Sequence, residues 1–86
     1  MSFRLIGAEA ACGTNVGGAS TFGNSEHVRL VNSGATNRVV TVADAADATL
    51  GTFTLADGEV TFIRKDPTDQ IFAAHAEVLG TPIIFS

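Results

Sequence analysis

The chain has 86 residues, which suits a single domain, and its nine acidic and five basic side chains leave a net charge of −4. An acidic chain without clustered Lys and Arg is not expected to bind nucleic acid. No apolar run approaches the roughly 18 residues of a transmembrane helix, and the run near the start is too short for a secretory signal. We therefore expect a protein that is made in a cytoplasm and binds no membrane.

The first part of the chain is poor in large apolar residues. After a predicted strand near residues 3–6, the stretch 7–25 consists mainly of Gly, Ala, Ser, Thr and Asn, in which Val16 and Phe22 stand out. We expect residues 7–25 to form an extended segment or arm that lies against a neighbouring subunit, with a further short strand possible at 14–16. The alternative is a loop that folds back onto its own domain.

A first hairpin is predicted at residues 26–43, where β-branched residues become dense. A five-residue loop at 33–37 would place Leu30 opposite Val40 and keep the apolar residues of both strands on one face. The acidic stretch 44–47 would then connect this hairpin to the next.

A second hairpin is predicted at residues 48–65. Its turn signal is Asp57-Gly58, because a two-residue type I′ turn needs a positive φ at both central positions. This turn would place Phe53 opposite Phe62, with apolar pairs on one face of the sheet and a Thr pair on the other.

The C-terminal part is predicted to hold two more strands, at residues 70–74 and 82–85, after a Pro-containing turn at 66–69. Residues 68–79 also have apolar residues at helical spacing, so a short helix is the alternative there. The surrounding β pattern favours strand, loop and strand.

These elements indicate a single all-β domain over residues 1–86, an antiparallel β-sandwich or flattened barrel of about seven strands. Its core is expected to contain the apolar residues that share one face of the predicted hairpins, together with those of the C-terminal strands. They are Leu30, Val40, Val42, Phe53, Leu55, Val60, Phe62, Ile71, Ile83 and Phe85.

The residue types that carry chemistry are few and scattered. Cys12 is the only cysteine, so no disulfide can form within one chain. His27 and His75 are far apart in the sequence and do not form a zinc motif with it. The adjacent bases Arg64 and Lys65 are interpreted as a solvated pair. We expect no catalytic, metal-binding or cofactor-binding residue, no bound cofactor and no enzymatic activity.

The carboxylates occur in pairs at predicted turns, at 44 and 47, at 57 and 59, and at 66 and 69. Asp at a turn usually accepts hydrogen bonds from nearby backbone amides. Calcium at such a pair is the alternative, although no pair has the spacing of a dedicated calcium loop.

The order of these strand and turn patterns resembles short proteins encoded by tailed phages of marine bacteria, including cyanophages. The likeness extends over nearly the whole chain and rests on β-strand and turn motifs. These motifs are Phe3-Arg4-Leu5-Ile6-Gly7, Val28-Arg29-Leu30-Val31-Asn32, Val39-Val40-Thr41-Val42, Gly51-Thr52-Phe53-Thr54-Leu55, Gly58-Glu59-Val60, Thr68-Asp69-Gln70-Ile71-Phe72-Ala73 and Leu79-Gly80-Thr81-Pro82-Ile83.

The resemblance implies a structural protein of the virion, made in the cytoplasm of the bacterial host. The expected function is a capsid decoration or cement protein that binds the major capsid protein or other virion proteins. The alternatives are a tail, neck or fibre-associated adhesion module that binds a host surface or a glycan, and a binding module outside the virion.

Assembly with other chains is expected on physical grounds as well. A domain of this size buries only about 60% of its unfolded surface, and 16% charged residues is low for a solvated surface. We therefore expect a homo-oligomer whose interface includes the isolated apolar residues of segment 7–25 and apolar residues at outward strand positions. These interface residues are Val16, Phe22, Val31, Val39, Ile63 and Ile84.

Overall fold

The structure, a computed structural model, describes residues 3–85, and its regular secondary structure consists almost entirely of β-strands. The elements in chain order are β1 (Phe3–Leu5), β2 (Ala10–Ala11), a 3₁₀ turn (Val16–Gly18), β3 (His27–Asn32), β4 (Arg38–Ala43), β5 (Thr49–Leu55), β6 (Val60–Arg64), β7 (Gln70–Ala73) and β8 (Val78–Phe85). The predicted all-β class is confirmed. Residues 74–77 form no helix, so the strand–loop–strand interpretation of this region is also confirmed.

The strands form two antiparallel sheets that pack as a small β-sandwich, as predicted. Sheet A has the order β1-β8-β3-β6, and β2 pairs with β8 beyond the end of β1. Sheet B has the order β5-β4-β7. The long strand β8 and the central strands β3 and β4 therefore organise the fold.

Both predicted hairpins are wrong, because each pairs strands that lie in different sheets. Strand β3 pairs with β6 and β8, whereas β4 pairs with β5 and β7. The loop at 33–37 and the turn at 56–59 thus each carry the chain from one sheet to the other. In the second connection Gly58 has a φ of 74° but Asp57 does not have a positive φ, so the type I′ turn that would hold a hairpin is not formed.

The tight hairpin that does form joins β4 to β5 through the acidic connector at 44–47. The Asp44 carboxylate accepts hydrogen bonds from the backbone amides of Ala46 and Ala48, at 2.9 and 3.0 Å. Asp47 takes the left-handed conformation with a φ of 68°, which Asp tolerates better than most residues. The local chemistry of Asp44 and Asp47 therefore decides where the chain reverses within a sheet.

The core lies between the two sheets and contains most of the predicted residues. Leu30, Val40, Leu55 and Ile71 are fully buried there, and the half-buried Val42 and Phe53 pack against them.

Strand β6 presents the opposite face from the one predicted. Val60 and Phe62 were expected in the core, but both are exposed, and Ile63 packs against the core instead. The cause is the partner of β6: pairing with β3 places Ile63 opposite the buried Val28. Because side chains alternate between faces, this pairing sends Val60 and Phe62 to the outer side.

Segment 7–25 folds back onto its own domain. Cys12 and Phe22 are buried in the core cluster, and Ser20 forms an isolated bridge with Ile71 of β7. Phe22 occupies the space above Gly80, where a Cβ atom would lie 2.5 Å from the ring. The described chain thus supports the folded-back loop that was the alternative to an arm on a neighbour.

The side chain of Asn32 joins the two inter-sheet connections at the end of β3. It is fully buried, and its Nδ2 donates to the carbonyl of Thr36 at 2.7 Å and to that of Leu55 at 3.0 Å. Its Oδ1 accepts from the amide of Gly34 at 3.0 Å. A buried amide with these partners fixes the loop after β3 and the end of β5 at the same place.

The backbone of Asn32 holds the second connection as well. Its carbonyl accepts from Gly58 at 3.0 Å and its amide donates to the carbonyl of Glu59 at 3.1 Å. Through its side chain and main chain, Asn32 therefore binds both crossings.

The substitution Asn32→Ala is expected to lower the free energy of unfolding by about 2–4 kcal/mol, because buried carbonyl and amide groups lose their partners. The matched control is Asn37→Ala, since the exposed Asn37 accepts one hydrogen bond, from Asp57 at 3.1 Å. The control is expected to lose less than about 1 kcal/mol. Urea unfolding of both variants measures the difference, and equal losses would contradict the role given to Asn32.

Candidate functional site: an exposed aromatic face

The outer side of sheet A carries apolar side chains at most of its positions. Alternation along β3 places Val28 and Leu30 in the core, so His27, Arg29 and Val31 point away from it. The registers of the neighbouring strands put further residues on the same outer side, namely Phe3, Leu5, Val60, Phe62, Leu79, Thr81, Ile83 and Phe85. We name this surface the aromatic face, after Phe3, Phe62 and Phe85.

The three phenylalanines and His27 form one contacting cluster across four strands. The rings of Phe3 and Phe62 are 5.2 Å apart between centroids, and those of Phe62 and Phe85 are 6.0 Å apart. His27 meets Phe85 edge to face, with centroids 4.9 Å apart. These separations lie in the range of favourable aromatic pairs, so the rings hold one another in place.

The outer side of sheet A also includes a fully buried residue. Ile83 lies opposite His27 and therefore on the outer side, yet only 1% of it is exposed. It was predicted as a core residue and is buried, but on the side of sheet A that faces away from sheet B. The cluster itself is open, since Phe3 is 40% and Phe62 44% exposed. The half-buried Phe85, also predicted in the core, belongs to the cluster.

A shallow concavity of about 490 Å³ lies beside Phe3. Leu5, Arg29 and Thr81 line it together with residues 7–9. Arg29 donates to the Glu9 carboxylate at 3.5 Å, and both side chains are partly exposed. The concavity thus combines an apolar wall with one weak ion pair.

The outer side of sheet B has a different character. Threonines 41, 52 and 54 alternate with inward residues there, beside the exposed Val39 and the half-buried Phe72. This side is therefore more polar than the aromatic face.

The predicted interface residues are not brought together by the fold. Phe22 lies in the core cluster of its own chain, and the partly buried Ile63 packs against that cluster. Val31 lies on the aromatic face, half-buried, while Val39 is exposed on sheet B.

The two remaining interface residues lie elsewhere. Val16 is half-buried in the 3₁₀ turn. Ile84 is 49% exposed near the end of β8, on the side of that strand opposite to the aromatic cluster.

Sequence reasoning assigned Phe62 and Phe85 to the core and so missed the aromatic face. One signal was present: β6 has large apolar residues at 60, 62 and 63, which a strand with one solvated face does not need.

The titratable groups do not converge on a chemical site. Within residues 3–85, no three His, Cys, Asp or Glu side chains lie close enough together to hold a metal ion. The turn carboxylates serve the backbone as predicted, since Asp69 accepts from the Asp66 amide at 3.1 Å and Glu59 from the Ala56 amide at 2.8 Å. The exposed His75 lies 3.7 Å from the Glu77 carboxylate.

Lys65 is buried, so its interpretation as half of a solvated basic pair is wrong. Its Nζ donates to the carbonyls of Pro67 and Asp66, at 3.2 and 3.4 Å. Burial lowers the pKa of Lys65, and the nearby Asp69 and Asp66 carboxylates oppose that change.

Comparisons with protein-family models, with curated proteins and with solved structures give no match to this chain. In the described part of the chain, no helix has the length and apolar character needed to cross a membrane.

The buried Cys12 thiol is expected to make stability depend on alkaline pH. Burial raises the pKa of Cys12 from 9.0 to about 12, so above pH 9 the unfolded chain loses this proton while the folded chain keeps it. The contribution to stability is therefore complete below pH 9 and falls by about 1.4 kcal/mol for each further pH unit towards 12.

Urea unfolding at pH 8 and at pH 10.5 measures this effect, with Cys12→Ala as the control that lacks the thiol. The opposite contribution of Lys65, whose lowered pKa favours folding as pH rises, is common to both proteins. The same pH dependence in both proteins would contradict a thiol that stays protonated in the folded state.

Proposed function

We propose that this protein is a structural component of a tailed-phage virion, a decoration or cement protein that binds the shell of the major capsid protein through its aromatic face. The observation that carries the proposal is the cluster of Phe3, Phe62 and Phe85, which remains open on the outer side of a fully formed sheet. The likeness of the strand order to short phage proteins supports the major capsid protein as the partner.

The physics of the aromatic face suits a docking surface. Phenylalanine side chains bury large areas, and aromatic residues are enriched at the centres of interfaces. The rings already hold one another, so little conformational freedom remains to be lost on binding. A rigid aromatic surface of this kind provides affinity without any reaction.

The basic side chains on this side of the sheet support a further feature of the proposed partner. Arg29 and the exposed Arg64 share the outer side of sheet A, although Arg29 pairs with Glu9 and the chain as a whole carries a net charge of −4. The complementary surface would be an apolar depression with acidic groups at its rim. On a shell, many copies of one such interface act together, which suits a small domain.

An adhesion module of the tail or fibre is the second candidate, and one observation favours it. The concavity of about 490 Å³ next to Phe3 offers an apolar wall together with Arg29 and Glu9, and this combination can accept a sugar ring and its hydroxyl groups.

The number of copies per particle separates the two candidates. Quantitative mass spectrometry of purified particles of the phage that encodes the chain should give a copy number close to that of the major capsid protein. A handful of copies, with labelling confined to the tail, would support the adhesion module and contradict the decoration role.

Phe62→Ser is expected to weaken binding to particles that lack this protein by at least about tenfold, because it removes the most exposed ring of the cluster. The matched control is Val39→Ser, since Val39 is similarly exposed but lies on sheet B. This variant should bind particles as the wild-type protein does. Circular dichroism checks that both variants fold, and co-sedimentation with particles measures binding. Equal binding of the two variants would exclude the aromatic face as the docking surface.

A further inference from the structure

The two edges of sheet B differ in whether another segment of the chain forms hydrogen bonds with them. Along β7, the amide and the carbonyl of Ile71 exchange hydrogen bonds with Ser20, at 2.8 and 3.0 Å, and the Ala73 amide donates to the carbonyl of Gly13 at 3.0 Å. Segment 7–25 thus closes the β7 edge. The opposite edge is strand β5, which pairs on one side with β4.

The direction of the β5 backbone groups follows from the register. The Ala74 amide donates to the carbonyl of Val39. Because backbone groups alternate in direction along a strand, Val39, Thr41 and Ala43 of β4 direct their amides and carbonyls towards β7. Val40 and its neighbours at 38 and 42 therefore bond to β5. On the regular part of β5, the groups that point away from the sheet belong to Thr52 and Thr54, whereas Leu50 lies where the register shifts.

Strand β5 lacks two of the devices that usually protect an edge, although a register shift interrupts its pairing with β4 at Leu50. Its seven residues include no charged residue and no proline, whereas the edge strand β6 of sheet A ends at the exposed Arg64. Most of β5 is exposed, including 58% of Leu50. A long, uncharged edge of this kind is a template for pairing with another strand.

We propose that β5 pairs with β5 of a second copy of this chain, antiparallel and centred on Thr52. A two-fold axis through this position joins the two copies of sheet B into one continuous six-stranded sheet. The outward amide and carbonyl of Thr52 then match those of Thr52 in the second copy.

Side-chain complementarity selects this register and this occupant. When Thr52 lies opposite Thr52 of the second copy, Phe53 of each copy lies opposite Gly51 of the other. Gly51 has open space where a Cβ atom would stand, and Phe53 is half-buried on the same inner side of the sheet. An aromatic ring opposite a glycine covers the exposed backbone of that glycine. Residues 51 and 53 would form a non-hydrogen-bonded pair, in which opposite side chains lie closest together.

The charges beyond the strand ends oppose the pairing and set its salt dependence. In this register the turn of one copy that carries Asp47 comes near the turn of the other that carries Asp57, and both residues are exposed. Salt screens like charges on a surface, so the dimer should tighten as ionic strength rises. Asp57→Asn should have the same effect at low salt.

The β5 edge and the aromatic face lie on different sheets, so a dimer formed through β5 leaves the aromatic face open. The inference therefore goes beyond the proposed capsid role and does not depend on it. Variants of β5 that lose the dimer can still bind particles, and Phe62→Ser can still dimerise.

Cysteine cross-linking of the purified protein tests the register. In Thr52→Cys the two introduced residues would be about 5.5 Å apart between Cα atoms, which a disulfide can span. In the control, Thr54→Cys, the corresponding distance is roughly 14 Å. We expect a disulfide-linked dimer for Thr52→Cys under mild oxidation and none for Thr54→Cys, while the native Cys12 stays buried. Equal cross-linking of the two variants, or none in either, would overturn the proposal.

Sedimentation equilibrium supplies a second measurement. Thr52→Pro removes an amide that points away from β4, so the sheet keeps its own hydrogen bonds while the edge loses a donor. Its dimer dissociation constant should rise at least about tenfold, whereas Thr52→Val, which keeps the amide, should change it little. A monomeric wild-type protein at every concentration and salt level, or an unchanged constant in Thr52→Pro, would also overturn the proposal.

Discussion

The buried amide of Asn32 is the contact on which the relation between the two sheets depends. Burial of apolar surface holds the two sheets together but is non-directional, so it does not fix their relative position. Asn32 supplies directional contacts: its side chain bonds to Thr36 and Leu55, and its backbone bonds to Gly58 and Glu59. Since both crossings between the sheets meet there, one residue sets where β4 begins and where β5 ends. The positions of the aromatic face and of the β5 edge follow from that geometry.

The sandwich is asymmetric, and the asymmetry gives each surface its character. Sheet A is apolar on both sides: sheet B covers one side, and the rings of Phe3, Phe62 and Phe85 only partly cover the other. Sheet B is more polar on its outer side, but one of its edges is open. Segment 7–25 contributes Phe22 to the core and closes β7, so its small residues serve the domain's own packing.

Strands were easier to predict than their partners. The alternation along 26–32 and 38–43 and the turn residues between them are local features, and they located β3 and β4 correctly. The same loop can join two strands of one sheet or carry the chain between sheets, and residues 33–37 alone do not distinguish these cases. The choice depends on Asn32, whose partner Leu55 is 23 positions away in the chain.

The sequence by itself determined the all-β class, the approximate strand positions and which residues within each strand share a face, because the side-chain period of two is a local property. Only the tertiary structure decided which of the two faces is inside. In β6 that choice turned on pairing with β3 rather than β5, which placed Ile63 in the core and Phe62 on the surface. A strand that is apolar on both sides carries no local signal for this choice, since it is made by the long-range contacts that bury one face first.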